Sequence, residues 1–295
     1  MGFLLMARKK RQPINELAGL LSELRELTTR IASADAGDSE RVISRLRGAL
    51  DGISTRLSAF SAGLDPVIRP LSLFDPADPR TAGRIVALTL VAQERLPLAN
   101  IRKFYGAGIY AIYYVGDFAP YAKLSGVDHP LYVGKADPGD PAAKDAVSQG
   151  IRLWGRLHEH AKSIGKTSTL NIDDFQCRHL IVQTGYQKSA EDYLIDFFKP
   201  IWNKETKICF GIGKHGDSVD TRANNRSPWD TLHPGREWAD ATENNQKSQS
   251  RIVGQIQDHL VINPPYTDIH HVFDNFLADM RQVDCSVGVL PSEEG

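Results

Sequence analysis

Two short aromatic runs constrain this chain more than any other feature. Gly108-Ile-Tyr-Ala-Ile-Tyr-Tyr-Val-Gly116 and Pro130-Leu-Tyr-Val-Gly-Lys-Ala136 are dense in β-branched and aromatic residues and bounded by Gly, Pro and Asp. Such runs are strands, and the 13 residues between them, 117–129, make a long hairpin connection. A third strand is expected from Phe175 to Val182, after a helix at 150–164 and before another from Gln187 to Phe198. Leu153, Leu157, Ala161 and Ile164 line one stripe of the first helix; Leu194, Ile195 and Phe198 line one of the second, which Pro200 stops. The order strand, strand, helix, strand, helix predicts an α+β domain, with a small three-stranded antiparallel sheet flanked by helices.

The flanks read differently. Leu17, Leu20, Leu24, Leu27 and Ile31 alternate steps of three and four, and after a break at 34–38 the pattern returns at Ile43, Leu46, Leu50, Ile53, Leu57, Phe60 and Leu64. That seam predicts a helical arm over residues 1–64, either a hairpin packing on itself or on the main domain, or a coiled coil joining two chains. Pro66, Pro70, Pro76 and Pro79 mark a linker at 65–79. A helix from Arg80 to Leu96, halted at Pro97, opens the main domain, which is expected to span 80–240. Residues 204–236, rich in Gly, Asn, Arg and Lys, read as an irregular surface segment. Residues 241–295 read as an acidic C-terminal tail with one helix near 269–281.

Composition excludes several classes. With 295 residues, 41% hydrophobic content and a mean hydropathy of −0.31, this is the composition of a soluble globular chain. No apolar run approaches the roughly 20 residues of a membrane helix. Phe3 to Ala7 is too short for a signal core, and its basic cluster, Arg8 to Arg11, follows instead of preceding it. Cys177, Cys209 and Cys285 are far apart and odd in number, which suggests neither a disulfide framework nor a zinc site. A cytoplasmic location is expected. The net charge of −1 hides an asymmetry: residues up to Arg236 carry 32 Lys+Arg against 26 Asp+Glu, and 237–295 carry 3 against 10. A basic body with an acidic tail is compatible with a nucleic-acid partner.

Four observations in the middle region are awkward for a purely structural reading. Tyr110 and Tyr132 sit within glycine-edged strands. Arg156 and His160 lie four residues apart on one helix, beside its apolar stripe. Glu191 shares the packed stripe of its helix, where a carboxylate needs a cation, a metal or several donors. Asn203 follows a helix stop, ordinarily a turn position. Together they supply a base, a cation for phosphate oxygens, a proton-handling imidazole and a hard-metal carboxylate, which suits metal-assisted phosphodiester hydrolysis. Gly134-Lys135 does not close a phosphate-binding loop, because no glycine stands five positions earlier and Ala136 replaces the required Ser or Thr.

Gly108-Ile109-Tyr110 followed by Tyr132-Val133-Gly134 resembles the signature of the GIY-YIG nuclease superfamily, with Val in place of the middle Ile of its second half. Arg156, Glu191 and Asn203 follow in that superfamily's order. Arg156 with His160, Ala190-Glu191, Phe198-Lys-Pro-Ile-Trp-Asn203 and Ser227-Pro-Trp-Asp-Thr-Leu-His-Pro-Gly-Arg236 look like its type II restriction endonuclease branch that cuts CCGCGG. The resemblance covers roughly residues 80–240. It implies a GIY-YIG fold, double-stranded DNA as substrate and a homodimer on a palindromic site. It also implies one Mg²⁺ per active site, held by Glu191, and a DNA methyltransferase as genetic partner. Tyr110 is then the candidate general base, Tyr132 orients water or phosphate, Arg156 stabilises charge, His160 assists and Asn203 holds the site. Which tyrosine takes the proton stays open. Lys135, Lys214, Arg222, Asn224, Arg226, His233 and Arg236 are the expected DNA contacts, the last six on the irregular segment. The alternatives are another GIY-YIG endonuclease, of homing or repair type, or a DNA-binding protein that has lost catalysis.

Overall fold

The computed structural model describes residues 2–33, 40–63, 74–213, 225–242 and 244–281, and divides the chain into two units, residues 1–73 with 284–295 and residues 74–283. The first unit contains helices α1 (Gly2–Ala32) and α2 (Glu40–Gly63), which pack on each other. Leu20, Leu27 and Ile53 of the expected seam are buried between them, and Glu23 pairs with Arg56. Ile31, Ile43 and Leu50 remain exposed. The expected break at 34–38, Leu64 and most of the expected linker lie outside the described residues.

The second unit opens with α3 (Pro79–Val91), where Asp78 accepts from the Arg80 amide at 2.7 Å and proline fills the first turn. The helix ends five residues before the expected Leu96, because Leu96–Pro97 leaves it to form β1. Three further strands follow: β2 (Gly108–Tyr114), β3 (Tyr132–Ala136) and β4 (Phe175–Ile181). They form an antiparallel sheet in the order β1-β4-β2-β3. The expected count of three strands is corrected to four; β1 is a two-residue edge where a proline, lacking an N–H, is tolerated. Gly108 has to be glycine, since a Cβ there would lie 1.9 Å from the Leu180 carbonyl oxygen.

Both faces of the sheet are covered, as the wholly buried β2 requires. On one face Tyr110, Ile112, Tyr114, Phe175 and Cys177 pack with Leu153, Leu157 and Ile164 of α4 (Arg152–Gly165). On the other, Ile109, Ala111, Tyr113 and Val133 pack with α3 and with Ala190, Leu194 and Phe198 of α5 (Gln187–Phe198), which ends at Lys199 with φ 48°. Past this helix come α6 (Pro228–Leu232), α7 (Glu237–Asp240), α8 (Gln249–Ile262) and α9 (Ile269–Arg281). The segment after 240 contains two helices where one was expected, and both are built into the unit. Ile252, Ile256 and Leu260 of α8 join the α4 side of the core, and Val272 and Phe276 of α9 join the α5 side. Among the described residues no helix is long and apolar enough to cross a membrane.

Candidate active site

Strand register brings the two tyrosines together. Tyr110 is opposite Gly134 and Ile112 opposite Tyr132, so both phenols stand on the α4 face as diagonal neighbours, with ring centroids 6.0 Å apart. Gly134 makes room for them: a Cβ there would lie 2.6 Å from the Tyr110 hydroxyl and 2.8 Å from the Tyr132 ring. The Gly of each signature triplet is thus explained by a close approach, one of backbone and one of a phenol.

Helix α4 carries His160 and Arg156 to this face one turn apart. The Tyr110 hydroxyl is 2.7 Å from Nε2 of His160, and the imidazole also lies 5.0 Å, centroid to centroid, from the Tyr132 ring. Tyr110 and His160 are buried, whereas the Arg156 side chain is 34% exposed and donates to Glu159 at 2.8 Å. Beside them opens a cleft of about 650 Å³ lined by Tyr132, Lys135, Arg152, Arg156, Glu159 and Glu191. A second hollow, of about 520 Å³, lies along α5 among Asp192, Asp196 and His259 and includes none of the expected residues.

Burial raises the Tyr110 hydroxyl well above the ordinary phenol value, with Tyr132 adding to the rise and Arg156 opposing it. Tyr132 is raised by burial and drawn back by Arg156. Glu191, half-buried at the cleft wall, is pushed up to about 7 by desolvation, against the pull of Lys135 and Lys188. A carboxylate so placed is short of positive charge and suits a divalent cation. Among the described residues no group of three or more His, Cys, Asp or Glu gathers around one point, so a metal at Glu191 would complete its shell with water and phosphate oxygens.

Asn203 stands behind the site. Its Oδ1 accepts from the Val133 amide at 2.9 Å and its Nδ2 donates to the Val133 carbonyl at 2.8 Å, so one buried side chain closes the free edge of β3 beside both tyrosines. Lys135 lines the cleft and pairs with Asp137.

The expected DNA contacts on the irregular segment fare otherwise. His233 is 0% exposed; its Nε2 is 2.5 Å from the Tyr121 hydroxyl, its Nδ1 is 2.8 Å from Thr169 Oγ1, and desolvation holds its pKa down to about 3. Arg236 is 3% exposed and pairs with buried Asp230. Arg226 donates to the carbonyls of Ala239 (3.1 Å), Asp240 (3.3 Å) and Thr242 (3.0 Å). All three are engaged by protein groups, His233 and Arg236 within the core and Arg226 through Nε and Nη2 on three carbonyls, an environment their expected role as DNA contacts did not anticipate. Lys214, Arg222 and Asn224 lie outside the described residues. Sequence reasoning missed Arg152 and Glu159 in the cleft, although Glu159 sits three residues after Arg156, a spacing that makes helix neighbours.

A family model, the Eco29kI GIY-YIG domain, matches residues 102–260, more than half of the chain and all of the site just described. No curated protein matches the chain.

Proposed function

The chain belongs to the Eco29kI GIY-YIG domain family of restriction endonucleases, nucleases that hydrolyse DNA, and from that premise we propose a Mg²⁺-dependent type II enzyme with Tyr110 as general base. The 2.7 Å contact between the Tyr110 hydroxyl and His160 carries this reading. A free phenolate is disfavoured in so buried a place, which argues against a pre-ionised tyrosine. A relay avoids it: the phenol takes the proton of the attacking water as it passes its own to Nε2 of His160. The water oxygen bonds to phosphorus in line, and the bond from phosphorus to the 3′-oxygen breaks. Arg156, on the same helix, answers the charge that grows on the phosphate oxygens. Tyr132 orients the phosphate or the water, and Asn203 keeps β3, hence Tyr132, in register. Glu191 would hold the ion, which when bound supplies Lewis-acid stabilisation of the phosphate and the leaving oxygen.

The recognition site we propose is CCGCGG, on the likeness of the 227–236 segment and the Arg156–His160 helix to the branch that cuts it. A palindrome is read by a two-fold protein, so the working form is a homodimer, with a DNA methyltransferase of the same specificity encoded alongside. The experiment is digestion of a plasmid carrying one CCGCGG, with and without Mg²⁺. A single linear product only with the metal supports the reading. A smear overturns the site specificity, and no cleavage under either condition overturns the enzyme.

A further inference from the structure

The turn at Gly211–Gly213 stands between a buried charge pair and the cleft. The Arg236 guanidinium lies over the rings of Trp229 and Trp238, 4.6 and 4.8 Å from their centroids. Its Nε donates to Asp230 Oδ1 at 2.6 Å, its Nη1 to the Ile212 carbonyl at 2.9 Å and its Nη2 to the Gly211 carbonyl at 3.0 Å. Asp230 also accepts from the Ser227 hydroxyl. Ser227 is pressed against Gly211, where φ is +121° and a Cβ would lie 2.3 Å from Ser227 Oγ. One planar guanidinium on two successive carbonyls leaves this turn a single path. The path leads to Gly213, where a Cβ would sit 3.6 Å from Nη2 of Arg156. The Arg156 guanidinium has the Glu159 carboxylate at Nη1, and on the Nη2 side Gly213 is near enough that one added carbon would reach it.

We infer that Arg236, held by Asp230, is a positioning residue for DNA hydrolysis: through the Gly211–Gly213 turn it fixes the direction of the Arg156 guanidinium in the cleft. The inference rests on the role proposed above for Arg156. A long, partly exposed side chain has many rotamers, and a turn held close to one side of it reduces their number. Charge stabilisation depends steeply on that direction, since a misplacement near 1 Å costs about 100-fold in rate. A buried ion pair adds little stability over apolar packing, and its fixed geometry is what this turn uses. Lysine at 236 would keep the charge opposite Asp230 but lacks the fork that holds both carbonyls.

The test is single-turnover cleavage of supercoiled plasmid by the full chain with Mg²⁺, beside affinity for a DNA duplex. Gly213→Phe places a ring where the turn meets Arg156 and leaves the buried pair intact. Its cleavage rate is expected to fall at least about tenfold with affinity within about threefold, and Arg236→Lys to show the same split. In an Arg156→Lys background either change should cost less than about threefold more, because the group being positioned is already altered. A loss of equal size in both backgrounds, or Gly213→Phe cleaving at full rate, would overturn the inference and leave the proposed function standing. Arg156→Lys cleaving at the original rate would instead remove the role of Arg156, and the inference with it.

Discussion

Arg156 and Arg236 are both charged side chains beside aromatic rings, yet they occupy opposite kinds of environment. Arg156 is a third exposed, has one carboxylate partner and borders an open cleft. Arg236 is 3% exposed and places its donors on a buried carboxylate and two carbonyls between two indoles. A cation of the first kind has donors and solvent to exchange for a phosphate. A cation of the second kind has neither, so it can shape the backbone but cannot meet a ligand. The same contrast separates Glu191 from Asp230. Each is a carboxylate in the same unit, but desolvation leaves Glu191 short of compensating charge, whereas Asp230 is met by Arg236 and Ser227.

The largest effect should come from the solvated side of that contrast. Glu191→Ala is expected to reduce Mg²⁺-dependent cleavage at least about 1,000-fold, a barrier increase near 4 kcal/mol, with DNA affinity within about tenfold. Plasmid nicking beside a binding assay measures both, and unchanged turnover would erase the distinction between the two carboxylates. On the sealed side the loss is one of stability. Arg236→Ala leaves Asp230 buried and unpaired and should lower unfolding free energy by about 3 kcal/mol, while Arg156→Ala, which breaks a half-exposed pair, should cost less than about 1 kcal/mol. Urea melts would show it; equal losses would mean that exposure does not sort these arginines.

A smaller effect follows from the pH dependence of Glu191. Its folded-state pKa of about 7 lies above the ordinary 4.5, so the folded protein binds more protons across that window and loses stability as pH rises through it. Metal-free Glu191→Gln should therefore be more stable than the parent at pH 8, by about 1–2 kcal/mol after allowance for solvent screening, and no different at pH 4. Thermal melts at the two pH values decide, and a gap at pH 4 as large as at pH 8 would contradict the assignment. Smallest is Lys135→Ala. A cleft lysine that meets phosphate should weaken all DNA sequences alike by a few fold and reduce the salt slope by about 1. Sequence-selective loss would assign Lys135 to base reading instead.

What was legible in the sequence divides along the same line. Tyr110, Tyr132, Arg156, His160 and Glu191 could be gathered before any fold was known, because their residue types suit phosphodiester hydrolysis and their order resembles the GIY-YIG signature. The strands that carry the tyrosines announce themselves by β-branched and aromatic density. Leu96–Pro97 does not: two residues have no periodicity, and proline reads as a helix stop before it reads as an edge strand. Helix α8 was overlooked although Ile252, Ile256 and Leu260 recur every four residues, since Val253, Val261 and Ile262 blur the stripe and the helix lies in a segment read as an acidic tail. Arg236 and His233 were illegible for a different reason. A charged or polar residue type says nothing about which way the chain turns it, and beyond the nearby Asp230 the partners that seal them, Gly211, Tyr121 and Thr169, come from separate parts of the chain.

The most direct test of the cleft as a hydrolytic site is the single-turnover cleavage rate of Tyr110→Phe, which removes one hydroxyl and keeps the ring that fills the space over Gly134. The tyrosine–imidazole relay predicts a loss of about 100- to 10,000-fold with DNA affinity and melting temperature little changed. A Tyr110→Phe enzyme that cleaves at the original rate, while Tyr132→Phe is inactive, would contradict it and move the base to the neighbouring strand.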